Sequence, residues 1–245
     1  MFSILKEVFA ICKFINRKII LEKIKVINFT DFIKFQKAIV KRLDSISKLA
    51  ISERNIFHIA LTGGETARSI YPKFLDLQTD WSKWHFWYGD ERVLPEGHKD
   101  LNSVMAEKTF LNQLSCNESQ VHKIPVFLGG KRASQLYSKY LEAIDYLDLI
   151  LLGLGEDGHV ASLFPNTDWH KLNDLSHAIS IQNSPKAPSE RVSMSFYRIQ
   201  KSRKILVISK GLSKLEIINR IQYKKDTILN KLSPVEQIEI FYLQK

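Results

Sequence analysis

The chain has 245 residues, 44% of them hydrophobic, enough to bury a sizeable core and to form one α/β domain. Its 36 Lys and Arg against 26 Asp and Glu give a net charge of +10, but the excess is spread over short runs such as Lys131-Arg132, Lys201 to Lys204 and Lys224-Lys225. The charge could serve nucleic acid, a membrane surface or an anionic metabolite, but its spread suits a solvated, lysine-rich surface better, while two cysteines, Cys12 and Cys116, exclude a disulfide framework and a Cys-x-x-Cys metal pair and suit a reducing cytoplasm.

The segment from Met1 to Leu21 is broken by Lys6, Glu7, Lys13, Arg17 and Lys18, so its apolar stretches are too short to span a bilayer. It also lacks the apolar core and small-residue cleavage site of a secretory signal. Ile4, Leu5, Val8, Ile11, Cys12 and Ile15 keep helical spacing. That leaves a docked helix, a membrane-surface helix or an extension upstream of the domain; residues 1–21 are read as an extension and 22–245 as one catalytic domain.

Ile24 to Phe29 reads as a strand and Asp31 to Leu49 as a helix capped by Thr30 or Asp31. A strand from Phe57 to Leu61 ends in Thr62-Gly63-Gly64-Glu65-Thr66 and is followed by a helix through about Leu75. Trp84 to Tyr88 is a short aromatic strand running into Gly89-Asp90-Glu91-Arg92, read as an irregular turn, and Asn102 to Leu114 resumes a helical pattern. A helix from Ala133 to Ile144 leads to the run Leu147 to Leu152, which holds five aliphatics and the single acid Asp148, as a central strand covered on both faces would. The chain then breaks at Gly153, Gly155 and Gly158, and a brief helical stretch is expected before Pro165. Later strands are Arg191 to Phe196 and Ile205 to Ser209, then a helix from Ser213 to Ile221 and a polar tail strand, Ile238 to Leu243. Strands alternating with helices imply right-handed crossovers and a mostly parallel, Rossmann-like sheet in a three-layer α/β/α sandwich.

Ligands of open α/β sheets sit outside the carboxyl ends of the strands, which puts Asp157 and His159 at the mouth of a pocket. The alternative is a glycine turn whose histidine only caps it. Gly63 and Gly64 stand at a strand-to-helix junction, where free amides and the helix dipole suit a phosphate, although Gly-Gly turns also merely make corners, Glu65 brings an acid close, and the Gly-Lys-Ser/Thr ending of a Walker loop is missing. Asp90, Glu91 and Arg92 can divide between a substrate hydroxyl and a structural ion pair. Lys186, Arg191 and Lys214 are apt phosphate ligands, against the plain reading of solvated basic residues.

Taken in order, Asp90-Glu91-Arg92, Asn102, the segment Leu152-Gly-Leu-Gly-Glu-Asp-Gly-His-Val-Ala-Ser-Leu-Phe-Pro165, the Lys186-x-Pro-x-x-Arg191 element and Gly211-x-x-Lys214 resemble the 6-phosphogluconolactonase family from about Ile24 onward. The resemblance implies an α/β/α fold shared with glucosamine-6-phosphate deaminases, and hydrolysis of 6-phosphoglucono-1,5-lactone in the oxidative pentose phosphate pathway without metal or organic cofactor. It implies His159 as general base on water, Arg92 as stabiliser of the oxyanion, and Asp90 as the group holding sugar hydroxyls or orienting its neighbours. Gly63, Gly64, Thr66, Asp157, Gly158, Arg191 and Lys214 are the implied substrate and phosphate ligands. The expected partner is a small sugar phosphate lactone, with no nucleic acid and no membrane, and the chain is expected as a monomer or weak dimer.

Three positions depart from the family pattern: Ala67 replaces the proline after the Gly-Gly turn, Leu101 replaces a serine before Asn102, and Ala187 replaces the first proline of a Lys-Pro-Pro element. They bear on positioning more than on reaction class. A deaminase carries Asp-Glu-Tyr and continues Asp-Gly-His-Ile-Ala-Phe-Asn-Glu-Pro; here Arg92 and Ser162-Leu163-Phe164-Pro165 favour the lactonase. A non-catalytic sugar-phosphate sensor would keep the phosphate ligands without needing a basic His159.

Overall fold

A computed structural model describes residues 24–165, 167 and 175–245. The extension read at residues 1–21, with Cys12, lies outside them. Strand β1 (Ile24–Phe29) leads into helix α1 (Phe32–Arg54), which starts where the Asp31 carboxylate accepts the Lys34 N–H at 2.7 Å. The helix runs five residues past its expected end, because its buried stripe Phe35, Ile39, Leu43, Ile46 and Ala50 continues at three- and four-residue spacing until Asn55 takes a left-handed φ of 60°.

Strand β2 (Phe57–Leu61), helix α2 (Glu65–Ile70, tightening into a 3-10 turn over Tyr71–Asp76) and strand β3 (Trp84–Tyr88) follow the expected order. Asp90-Glu91-Arg92 is not an irregular turn but a short strand, β4 (Asp90–Arg92). Helix α3 (Asn102–Thr109) stops before the expected Leu114 and helix α4 (Gly130–Glu142) starts before the expected Ala133. Strand β5 (Leu147–Gly153) is the predicted central strand.

Beyond it come β6 (Ala178–Ile181), β7 (Arg191–Met194), α5 (Phe196–Gln200), β8 (Ser202–Lys210), α6 (Leu215–Gln222), α7 (Ile228–Lys231) and β9 (Gln237–Leu243). The stretch from Leu154 to Pro165 holds tight turns where a brief helix was expected, with a bridge between Val160 and Leu163.

Six strands form one sheet in the order β1-β9-β8-β5-β2-β3, every neighbouring pair parallel and helices flanking it. The last strand is no polar tail: it lies inside the sheet between β1 and β8 with Ile238 to Leu243 buried, and its one acid, Glu239, pairs with Arg42 at 2.6 Å. Asp148, the acid of the central strand, accepts Arg54 at 2.9 Å and the His58 N–H at 2.8 Å, which satisfies a charge that would otherwise be costly to bury.

A second, antiparallel sheet, β4-β7-β6, sits at the carboxyl-end side. Its register pairs Arg92 with Arg191 and Asp90 with Ser193. Residues about a hundred positions apart in the sequence thus meet in one place. The order in which the chain adds strands reverses between β2 and β5, which is where doubly wound sheets open a crevice. There the Gly153 N–H at the end of β5 donates to Thr62 Oγ1 at the end of β2, at 3.0 Å. Among the described residues, no helix is long and apolar enough to cross a membrane.

Candidate active site

A cavity of about 430 Å³ opens over this crevice. Its wall takes Gly63, Gly64 and Thr66 from the turn after β2, Asp90 and Arg92 from β4, Gly155 and His159 from the loop after β5, Lys186 and Arg191 from the β6–β7 side, and Lys214 after β8. Lys210 adds a fifth cation, and three carboxylates, Glu65, Asp90 and Glu156, face them. An anion is favoured in such a space.

His159 reaches it through a loop that only a glycine permits. A Cβ on Gly155 would stand 2.0 Å from His159 Nδ1 and 2.4 Å from Asp157 Oδ1. In the space this leaves, Asp157 Oδ1 takes the Nδ1 hydrogen of His159 at 2.5 Å and the His159 backbone N–H at 3.2 Å. With Nδ1 committed as donor, Nε2 of the neutral ring holds the free lone pair. The ring also packs on Phe164, centroids 4.6 Å apart. Burial pushes the imidazole below its ordinary pKa while Asp157 pulls the other way, and the net lowering favours the neutral ring.

Two of the residues expected as ligands lie off the cavity wall. Asp157 is not on the cavity wall because its carboxylate is turned to His159. Gly158, also off the wall, is required by its φ of 90° and by Ile217 Cδ1, which a Cβ would approach to 2.8 Å. The others, Gly63, Gly64, Thr66, Asp90, Arg92, His159, Arg191 and Lys214, are brought together on the wall.

Asp90 is buried and held from several sides. Ser162 Oγ donates to its Oδ2 at 2.6 Å, Asn102 Nδ2 donates to its Oδ1 at 3.2 Å and to its carbonyl at 2.9 Å, and Arg191 Nη1 lies 3.9 Å from Oδ2. Glu91 points away from the cavity. Its carboxylate accepts the backbone N–H groups of Arg92, Asn102 and Ser103 at 2.7 to 2.9 Å, capping α3, so it makes a helix cap where an ion pair was one expectation. Burial raises its pKa despite those donors. Gly63 leaves the room for Asn102, whose Oδ1 would lie 2.0 Å from a Cβ there.

The cations differ in how freely they can meet a ligand. Arg92 Nη1 is tied to the Asp100 carbonyl at 2.6 Å, while its buried Nε has no partner among the described residues. Arg191 donates to the carbonyls of Lys186, Ala187 and Pro188 at 2.9 to 3.2 Å, so it braces that loop as well as facing the cavity. Among the described residues Lys214 pairs with Glu156 alone, at 3.7 Å, and burial lowers its pKa.

Lys186, Asn102, Ser162 and Lys210 matter more here than their sequence suggested. The first three stand in the motifs, but nothing in the sequence tells which side chain a buried carboxylate will recruit. Among the described residues, no group of three or more His, Cys, Asp and Glu side chains is arranged to hold a metal ion.

The family model described as "Glucosamine-6-phosphate isomerases/6-phosphogluconolactonase" matches residues 31–240. A rice protein described as a probable chloroplastic 6-phosphogluconolactonase 3 is 31% identical over 220 residues, covering 82% of this chain; the chain spans 66% of that relative, just under two thirds. The 6-phosphogluconolactonase of Mycobacterium leprae is 31% identical over 205 residues, covering 78% of this chain and 82% of its own. Among solved structures, that of the Thermotoga maritima 6-phosphogluconolactonase superposes with a TM-score of 0.81 at 22% identity, over 91% of this chain and all of that one, a likeness of fold.

Proposed function

Because the chain belongs to the family of glucosamine-6-phosphate isomerases and 6-phosphogluconolactonases, we propose that it hydrolyses 6-phosphoglucono-1,5-lactone to 6-phosphogluconate, the lactonase step of the oxidative pentose phosphate pathway. The observation that carries this reading is the His159–Asp157 pair, a base with its tautomer fixed, on the wall of a cavity rich in cations.

In this reading Nε2 of His159 takes a proton from a water whose oxygen attacks the lactone carbonyl carbon. The carbonyl π electrons move to oxygen, and the guanidinium of Arg92 stabilises that oxyanion. As the carbonyl re-forms, the ring C–O bond breaks and the ring oxygen leaves with the proton carried by His159, giving a carboxylic acid that ionises in water. Asp90 accepts hydrogen bonds from sugar hydroxyls. Gly63, Gly64 and Thr66 at the start of α2, with Lys214 and Arg191, hold the phosphate, which with two negative charges needs several donors. Asp157 serves by orienting His159, and Gly158 by shaping the turn. The reaction draws on these side chains and water, with neither a metal nor an organic cofactor.

Residues 22–245 act as the catalytic domain in this proposal, as a monomer or weak dimer in the cytoplasm. The curated relatives named above carry the lactonase name, which supports the lactonase over the isomerase half of the family. The test follows acid release from freshly made 6-phosphogluconolactone with spontaneous hydrolysis subtracted, beside conversion of glucosamine 6-phosphate to fructose 6-phosphate. An excess lactone rate alone is expected. Conversion of the amino sugar without excess lactone hydrolysis would overturn the proposal.

A further inference from the structure

The loop that delivers His159 delivers a second polar group three residues later. Ser162 is fully buried, and a hydroxyl in that position is costly unless it is bonded. Its hydrogen goes to Oδ2 of Asp90, at 2.6 Å, on a carboxylate that faces the cavity.

Several features place it there. Ala161 takes a left-handed φ of 48°, a conformation that costs a non-glycine residue about 1–2 kcal/mol and persists only where its surroundings enforce it. The Leu163 N–H closes the turn onto the Val160 carbonyl at 2.9 Å. The Ser162 N–H donates to Ser193 Oγ at 3.3 Å, and Ser193 is the residue that faces Asp90 across the β4–β7 pair. Ser162 is therefore anchored to the strand opposite the acid it bonds.

We propose that Ser162 is a positioning residue for Asp90: its hydroxyl fixes the rotation of the carboxylate about the Cβ–Cγ bond, so that one lone pair on each oxygen is aimed into the cavity for a substrate hydroxyl. Asn102 secures Oδ1 and the backbone carbonyl, but one donor on one oxygen does not set the plane of a carboxylate. Donors on both oxygens do. Arg191, at 3.9 Å, is too far to substitute as a hydrogen-bond donor. The same loop thus couples the base to the sugar-binding acid, and a shift of the 159–163 turn would displace both.

The kinetic consequence rests on the proposed lactonase reaction, while the geometric one does not. The experiment is a double-mutant cycle on excess lactone hydrolysis with Ser162→Ala, Asp90→Asn and the pair. Ser162→Ala is expected to lower kcat/KM on the order of tenfold or more, the scale of one hydrogen bond to a charged group, and to add almost nothing in the Asp90→Asn background, because it acts through Asp90. A side chain that merely packs would give losses that add. Additive losses, or Ser162→Ala with wild-type kcat/KM, would overturn the proposal. If the wild-type protein shows no excess lactone rate, the reaction reading fails, and a crystal structure of Ser162→Ala decides the inference alone. A turned Asp90 carboxylate supports it, and a carboxylate left in place refutes it.

Discussion

Replacing Gly155 by alanine tests how much depends on the His159–Asp157 pair without removing either residue. The backbone at Gly155 is not in the left-handed region, so alanine can adopt it and the cost falls on space. The new Cβ would lie 2.0 Å from His159 Nδ1, 2.2 Å from Cε1 and 2.4 Å from Asp157 Oδ1. Carbon contacts are comfortable at about 3.5–4.0 Å, so the imidazole must move by roughly 1.5 Å or the loop must open. A displacement of about 1 Å at a reacting group can cost on the order of a hundredfold in rate. Excess lactone hydrolysis should therefore fall about a hundredfold in kcat, with thermal unfolding little changed because the loop borders a cavity. Gly158→Ala is the contrast: its φ of 90° and the Ile217 contact at 2.8 Å make it a stability variant first, with a lower Tm. Wild-type kcat in a folded Gly155→Ala protein would refute the role given to the pair.

Asp157→Asn removes the carboxylate that raises the pKa of His159 against burial, so the acidic limb of kcat/KM, already below the ordinary histidine value, should move to lower pH while kcat at pH 7 drops at least on the order of a hundredfold; an unshifted limb would contradict it. Lys214→Ala should raise KM for the phosphorylated lactone roughly tenfold or more with kcat nearly kept and leave the unphosphorylated lactone unaffected, whereas Arg191→Ala should also lower Tm, since it frees three loop carbonyls; equal loss on both lactones would remove Lys214 from the phosphate site. His58 and His122, away from the cavity, are pushed down to about 4 by burial and by neighbouring His85, with Trp87 stacked on His122 at 3.8 Å. The unfolded chain binds protons first, so stability is intact above pH 6.5 and falls as pH drops towards 4, by on the order of 1–2 kcal/mol per half-buried ring after solvent screening. Thermal melts between pH 7 and 4.5 should show that loss, smaller in His122→Gln, and parallel curves would refute it.

The strand–helix alternation was legible because buried parallel strands such as Leu147 to Leu152 have continuous aliphatic runs and because Asp31 caps its helix in the usual way. Asp90 to Arg92 was misread as a turn because a three-residue strand has too little alternation to show a period, and its partner, Arg191 to Met194, lies about a hundred residues away. The tail strand Ile238 to Leu243 looks polar because it carries Glu239, while the Arg42 partner that allows Glu239 into the sheet is invisible locally. In the site, the glycine turn pointed to His159, but it did not distinguish a glycine needed for φ, at 158, from one needed for space, at 155. Nor did it distinguish ligands from braces. Asp157 serves His159, Glu91 caps a helix and Ser162 holds Asp90, all through contacts that depend on tertiary structure.

In the proposed reaction His159 is the base for lactone hydrolysis. The direct measurement is the excess rate of acid release from fresh 6-phosphogluconolactone by wild type and His159→Ala, both verified as folded by thermal melting. A clear excess is expected for wild type and a loss on the order of a hundredfold to ten-thousandfold for the variant. An undiminished rate in His159→Ala would contradict it.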